Sequence, residues 1–152
     1  MPSPVRLAAM SRLEAFGNQL IEFHLSVRDQ LDELRETGSS SGAELRVHCL
    51  AFCRALTAHH TGEDNGAFVA LAEHYPELRP VLEELAGDHV IIEDALRRLE
   101  KLDELAPAER LRELDTLSAL LETHFNYEER KLVAAMNTLT DDRLGLPFQP
   151  PA

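Results

Sequence analysis

Apolar residues recur at three- and four-residue steps in four long stretches of this chain, and glycine- or proline-bearing breaks separate them. The first stretch, from about Pro4 to Glu36, places Leu13, Phe16, Leu20, His24, Val27 and Leu31 on one stripe, which predicts an amphipathic helix. Gly38-Ser39-Ser40-Ser41-Gly42 ends it. A second helix is predicted from Ala43, with Leu45, His48, Phe52, Leu56 and His59 inward. Gly62 and Gly66 then weaken it, each by roughly 1 kcal/mol against alanine. Periodicity resumes through Phe68, Val69 and Leu71 and stops before Pro76. Pro80 suits the first turn of a third helix, whose stripe is Leu82, Leu85, His89, Ile92, Leu96 and Leu99. After a break at Ala106-Pro107, a fourth runs from about Ala108 to Leu139 with Leu117, Leu120, Leu121, His124 and Glu128 on one side. The three prolines between Leu144 and Ala152 predict an irregular tail. The expectation is an all-α, up-down antiparallel four-helix bundle. It forms one domain over residues 1–152, with the bundle at about 4–139 and the tail at 140–152.

Polar residues interrupt the apolar stripes in a pattern of their own. Three histidines are each followed four positions later by glutamate: His59/Glu63, His89/Glu93 and His124/Glu128. Four residues advance a helix by about 6 Å and turn about 40° past a full revolution, so both side chains leave one face. Singly, such a pair is more often a surface contact worth a few tenths of a kcal/mol. Position changes that reading. Each pair falls on a different helix with its histidine on the apolar stripe, and His24 takes the matching place on the first helix. The steps from His24 to His59, His89 and His124 are 35, 30 and 35 residues. In an up-down bundle, near-equal steps bring the four positions to similar depth. Seven polar groups converging in a core are costly unless something satisfies them, and a pair of cations does so. Imidazole and carboxylate donors together suit iron, manganese or zinc. The spacing therefore nominates His24, His59, Glu63, His89, Glu93, His124 and Glu128 as metal ligands, with a metal-free polar core as the bland alternative.

Charge and cysteine content narrow the picture. A net charge of −12 offers no basic face for phosphates, so no nucleic-acid partner is expected, nor binding to an anionic membrane. Cys49 and Cys53 lie four apart, which is not a redox or zinc spacing, and read as small apolar core residues. No start resembling a secretory leader is visible, so the expected location is the cytoplasm.

A lone histidine on the first helix, then His-x-x-x-Glu on the second and fourth, resembles the hemerythrin-like, or HHE cation-binding, family. The resemblance runs from about Arg12 to Met136. It is carried by His59-His60-Thr61-Gly62-Glu63-Asp64 and His124-Phe125-Asn126-Tyr127-Glu128-Glu129. It implies an oxo- or hydroxo-bridged pair of iron ions with Glu63 and Glu128 as bridges. His24 and His59 would serve the iron that keeps an open position, and His89 and His124 the other. It further implies oxygen, nitric oxide or peroxide as the ligand, with catalase- or peroxidase-like turnover within reach. Iron or oxygen sensing or storage without turnover is the alternative, and a bundle acting only as an interaction protein is a third; no protein partner is identified. One departure stands out: the oxygen carriers have His-x-x-x-His on the third helix, where this chain has His89 and Glu93. As a ligand, Glu93 would stabilise ferric iron and favour peroxide or nitric oxide chemistry over oxygen carriage. Ile92 competes with it for the inward register. His60 is expected as a partly exposed neighbour, with a supporting or ligating role left open; His48 is expected in the core and His74 at a helix end. A ferritin-like reading fails, since no glutamate stands three residues before any histidine.

Overall fold

A computed structural model of the chain describes residues 16–37 and 42–139. Among these there is no strand. The elements are α1 (Phe16–Thr37), α2 (Gly42–Gly62), a π-helical turn (Glu63–Ala67), α3 (Phe68–His74), a 3₁₀ turn (Pro76–Leu78), α4 (Arg79–Leu99), a second 3₁₀ turn (Leu102–Glu104) and α5 (Pro107–Thr138). Four rods result, because α2, the π turn and α3 follow one another without a break. Pro80 and Pro107 each sit in a first turn, where the missing N–H costs nothing. The predicted helix over residues 4–15 and the predicted tail at 140–152 lie outside the described residues.

The rods run antiparallel. Along α1 and α5, Gly17 meets Asn137, Arg28 meets Glu122 and Arg35 meets Asp115, so one index rises as the other falls. Arg98–Glu113, Asp88–His124 and Glu84–Tyr127 give the same sense between α4 and α5. α1 and α5 approach tightly at Gly17, whose N–H donates to Asn137 Oδ1 at 2.8 Å. A Cβ there would lie 2.5 Å from the Val133 carbonyl oxygen, so only glycine allows this approach.

Two apolar cores result, with a polar layer between them. The larger core includes Val27, Leu31, Leu45, Phe52, Leu56, Leu96, Leu114 and Leu121. The smaller includes Phe16, Leu20, Phe68, Leu71, Leu85, Leu132 and Met136. On α2 the inward stripe departs from the predicted one at His48, which is exposed, while Cys49 and Cys53 are buried as expected. Small cysteines satisfy the helical period as well as His48 does and carry no polar nitrogen into the core. Both are free thiols, and burial pushes them up to about 11 and about 12, leaving them inert. No helix among the described residues is long and apolar enough to cross a membrane.

Candidate metal centre

The polar layer is built by all four rods. α1 supplies His24, the end of α2 supplies His59 and His60, the π turn supplies Glu63, α4 supplies His89, and α5 supplies His124 and Glu128. All seven are buried, and Glu128 is fully so. The segment that glycine weakens is where the helix widens: the Phe68 N–H reaches back five residues to the Glu63 carbonyl. Gly62 itself keeps ordinary α-helical dihedrals. The wider turn keeps Glu63 inward and then returns Ala67, Phe68, Ala70 and Leu71 to the apolar core beneath. Phe68 stacks on His89 from below, with ring centroids 5.5 Å apart.

Six of the seven nominated residues meet here, and Glu93 does not. Its side chain is 52% exposed and accepts a hydrogen bond from Arg97 at 3.1 Å, one turn along α4. Ile92 takes the inward register instead and is fully buried. The expectation that Glu93 joins the ligands is therefore corrected, and the ferric-stabilising argument built on it goes too. His60, expected to be partly exposed, is 5% exposed and stacks on His89 at 3.8 Å. The signal for it was in the sequence: a histidine doublet ahead of a glycine-weakened turn. His74 is exposed at the end of α3 and His48 lies well away from the layer, on the outer face of α2.

The layer divides into two halves with the glutamates between them. His24 and His59 form one half; His60, His89 and His124 form the other. Glu63 Oε1 lies 3.3 Å from His59 Nε2 and 3.4 Å from His89 Nε2. Glu128 Oε2 lies 3.9 Å from His24 Nε2 and 3.1 Å from His124 Nε2. Each carboxylate thus faces one imidazole from either half. Among the described residues, the buried atoms lacking any hydrogen-bond partner are the Nε2 atoms of all five histidines, His24 Nδ1, and all four oxygens of Glu63 and Glu128. Leaving even one such group unpaired costs about 1–3 kcal/mol. A set this large converging on one small volume, all nitrogen and oxygen donors, fits metal cations. Three overlapping groups have donor atoms within 4.8 Å of one another: His60, His89 and His124; His24, His59 and Glu128; Glu63, His89 and Glu128.

Electrostatics agree with that fit. Burial pushes His59 down to about 3 and holds His60 and His89 below the ordinary histidine value, so all three are neutral donors. Burial and the neighbouring Glu128 hold Glu63 well above the ordinary carboxyl value. Burial also disfavours charge on Glu128, but the neighbouring Glu63, His124 and His24 outweigh it and hold its carboxyl well below the ordinary value. Without cations, then, one of the two central carboxyls stays protonated.

The outward nitrogens are braced. Asp64 Oδ1 accepts from His89 Nδ1 at 2.8 Å, and Asp88 Oδ2 accepts from His124 Nδ1 at 3.0 Å. Glu129 lies 3.4 Å from His24 Nδ1 and 3.6 Å from Arg28. Each brace is a sequence neighbour of a central residue on one rod and grips an imidazole of another rod. Such partners fix ring orientation and raise donor strength. A small pocket, about 70 Å³, opens between α2 and α4 and reaches His60 and His89. On the other half, Phe125 stacks on His24 at 3.8 Å and Phe23 on His59 at 3.9 Å.

No curated protein and no solved structure matches the chain. Residues 17–136 match the hemerythrin HHE cation-binding domain, a span that contains every residue of the polar layer and most of the chain, and the protein therefore belongs to that family.

Proposed function

We propose that the polar layer holds a pair of iron ions bridged by Glu63 and Glu128, and that oxygen, nitric oxide or peroxide binds at the ion served by His24 and His59. The observation that carries this reading is the placement of the two carboxylates, each between an imidazole of one half and an imidazole of the other. Two shared carboxylates between two nitrogen clusters are what a pair of adjacent cations requires. Iron bound there would supply reversible redox chemistry and an open coordination position. The chain's own residues do the rest. Glu63 and Glu128 balance cation charge, Asp64 and Asp88 aim their imidazoles, and Phe23 and Phe125 wall the His24/His59 half with apolar rings. Those rings favour a small uncharged ligand over a bulky or anionic substrate.

Metal analysis with an optical spectrum tests this. Two irons per chain are expected, with near-ultraviolet charge-transfer bands that change on adding azide or peroxide. Oxygen evolution from peroxide would add turnover to binding, whereas spectral change without turnover would place the protein with sensing or storage. One zinc per chain and a featureless spectrum would overturn the proposal.

A further inference from the structure

We propose that His60 is the fifth nitrogen ligand of this centre, so that α2 serves both ions with two consecutive side chains while α4 gives His89 alone. The inference rests on the two-ion reading above. Adjacent residues on an α-helix point about 100° apart, so neighbours seldom reach the same ion. They do reach two ions lying side by side across the helix end. His59 joins the His24 and Glu128 group, and His60 joins the His89 and His124 group. Their ring centroids are 5.7 Å apart and their planes tilted by 50°, so the two rings are not stacked as one unit.

A purely packing role for His60 explains less. The ring does stack on His89 at an interplanar angle of 10°. A phenylalanine or leucine would fill that space without burying a polar nitrogen. His60 instead carries an Nε2 with no hydrogen-bond partner, in a ring centred 5.4 Å from that of His124. Glu93, the residue that the spacing offered for this place, is bound up with Arg97 at the surface. The donor set becomes five imidazoles and two carboxylates rather than four and three, one negative charge fewer. The same count makes the halves unequal: three imidazoles supply one ion and two supply the other. The shortfall lies at His24 and His59, where an external ligand would sit.

Cobalt(II) titration of the full chain tests the assignment, because the visible bands of cobalt report the donors around it. Wild type should take up two ions per chain, and Glu93→Gln should do the same with an unchanged spectrum. His60→Phe keeps the stacking ring and removes the donor; its second ion should bind more than about 100-fold more weakly, since even outer partners of a ligand cost ten- to hundredfold. His60→Ala should show the same loss, and added free imidazole should restore the ion and its bands. The assignment is overturned if His60→Phe holds two ions with wild-type affinity and spectrum, or if Glu93→Gln loses one. A loss in His60→Ala that imidazole does not repair overturns it as well. A wild type that binds no more than one ion overturns the two-ion reading itself, which is visible before any variant is made.

Discussion

The two halves of the polar layer are built from the same residue types and differ in what surrounds them. Around His24 and His59 the neighbours are aromatic: Phe125 and Phe23 cover the two rings, and the one carboxylate behind His24 stands off at 3.4 Å. Around His60, His89 and His124 the neighbours are one another and Phe68, which stacks on His89 at 5.5 Å, while Asp64 and Asp88 hold two outer nitrogens at 2.8 and 3.0 Å. The second half is supplied with donors and fixed in orientation. The first is short of donors and walled by hydrocarbon. The site proposed above would use both characters, one side to anchor an ion pair and one side left incomplete for an incoming molecule.

The largest break should come from Glu128, which both halves share. Glu128→Gln keeps the shape and removes the charge, and metal content by elemental analysis should fall from two ions towards none. Retention of both ions would show that the halves do not depend on a common carboxylate. Next, Phe23→Ala strips the apolar wall from one half only. Unfolding free energy should drop by about 3–5 kcal/mol, as for other buried aromatic truncations. Azide should bind more readily while metal content stays at two.

Protons sharpen the contrast in the metal-free protein. His59 in one half, at about 3, and His60 and His89 in the other all sit below their ordinary 6.5 through burial, so the unfolded chain takes up protons that the fold refuses. That destabilises the fold as pH drops below 6.5. Glu63, raised above its ordinary 4.5, acts in the opposite sense above 4.5, and His124, raised by its contacts with Glu128 and Asp88 against the effect of burial, does so above 6.5. Between 4.5 and 6.5, three histidines oppose one carboxyl. Stability of chelator-treated protein should rise with pH there and decline above it. A thermal melting series that is flat or falls over that interval would contradict the assignment.

Smaller effects follow from the braces. Asp88→Asn should weaken metal binding about 10- to 100-fold, and Glu129→Gln, at its longer distance, by less. Equal losses in a competition titration would erase that difference between the halves. Glu93→Gln should change stability by no more than about 0.5 kcal/mol, as expected for an exposed ion pair.

Much of this was legible in the chain because helical geometry is regular. His24, His59, Glu63, His89, His124 and Glu128 stand at three- and four-residue steps within apolar stripes, and periodicity alone sends them inward. The misplacements have a common cause: on a helix, several residues satisfy one period, and packing selects among them. Ile92 displaced Glu93 because an apolar side chain gains by burial while a carboxylate loses, and Arg97 one turn on offered the carboxylate a partner at the surface. Cys49 and Cys53 displaced His48 on the same grounds. His60 was expected to be partly exposed because it is adjacent to His59, and adjacency normally means different surroundings. At the end of α2 the polar layer is wide enough to take both. The π turn was foreshadowed only as a weakness at Gly62 and Gly66, since propensity registers that a helix is strained but not how it resolves.

Glu63 and Glu128 each face both nitrogen clusters, and before any cation arrives they hold a single proton between them. On the two-ion reading proposed above, that proton would have to leave before both carboxylates could serve cations. Metal uptake would then release a proton to solvent and weaken in acid, so the protein would shed its ions as its surroundings acidify.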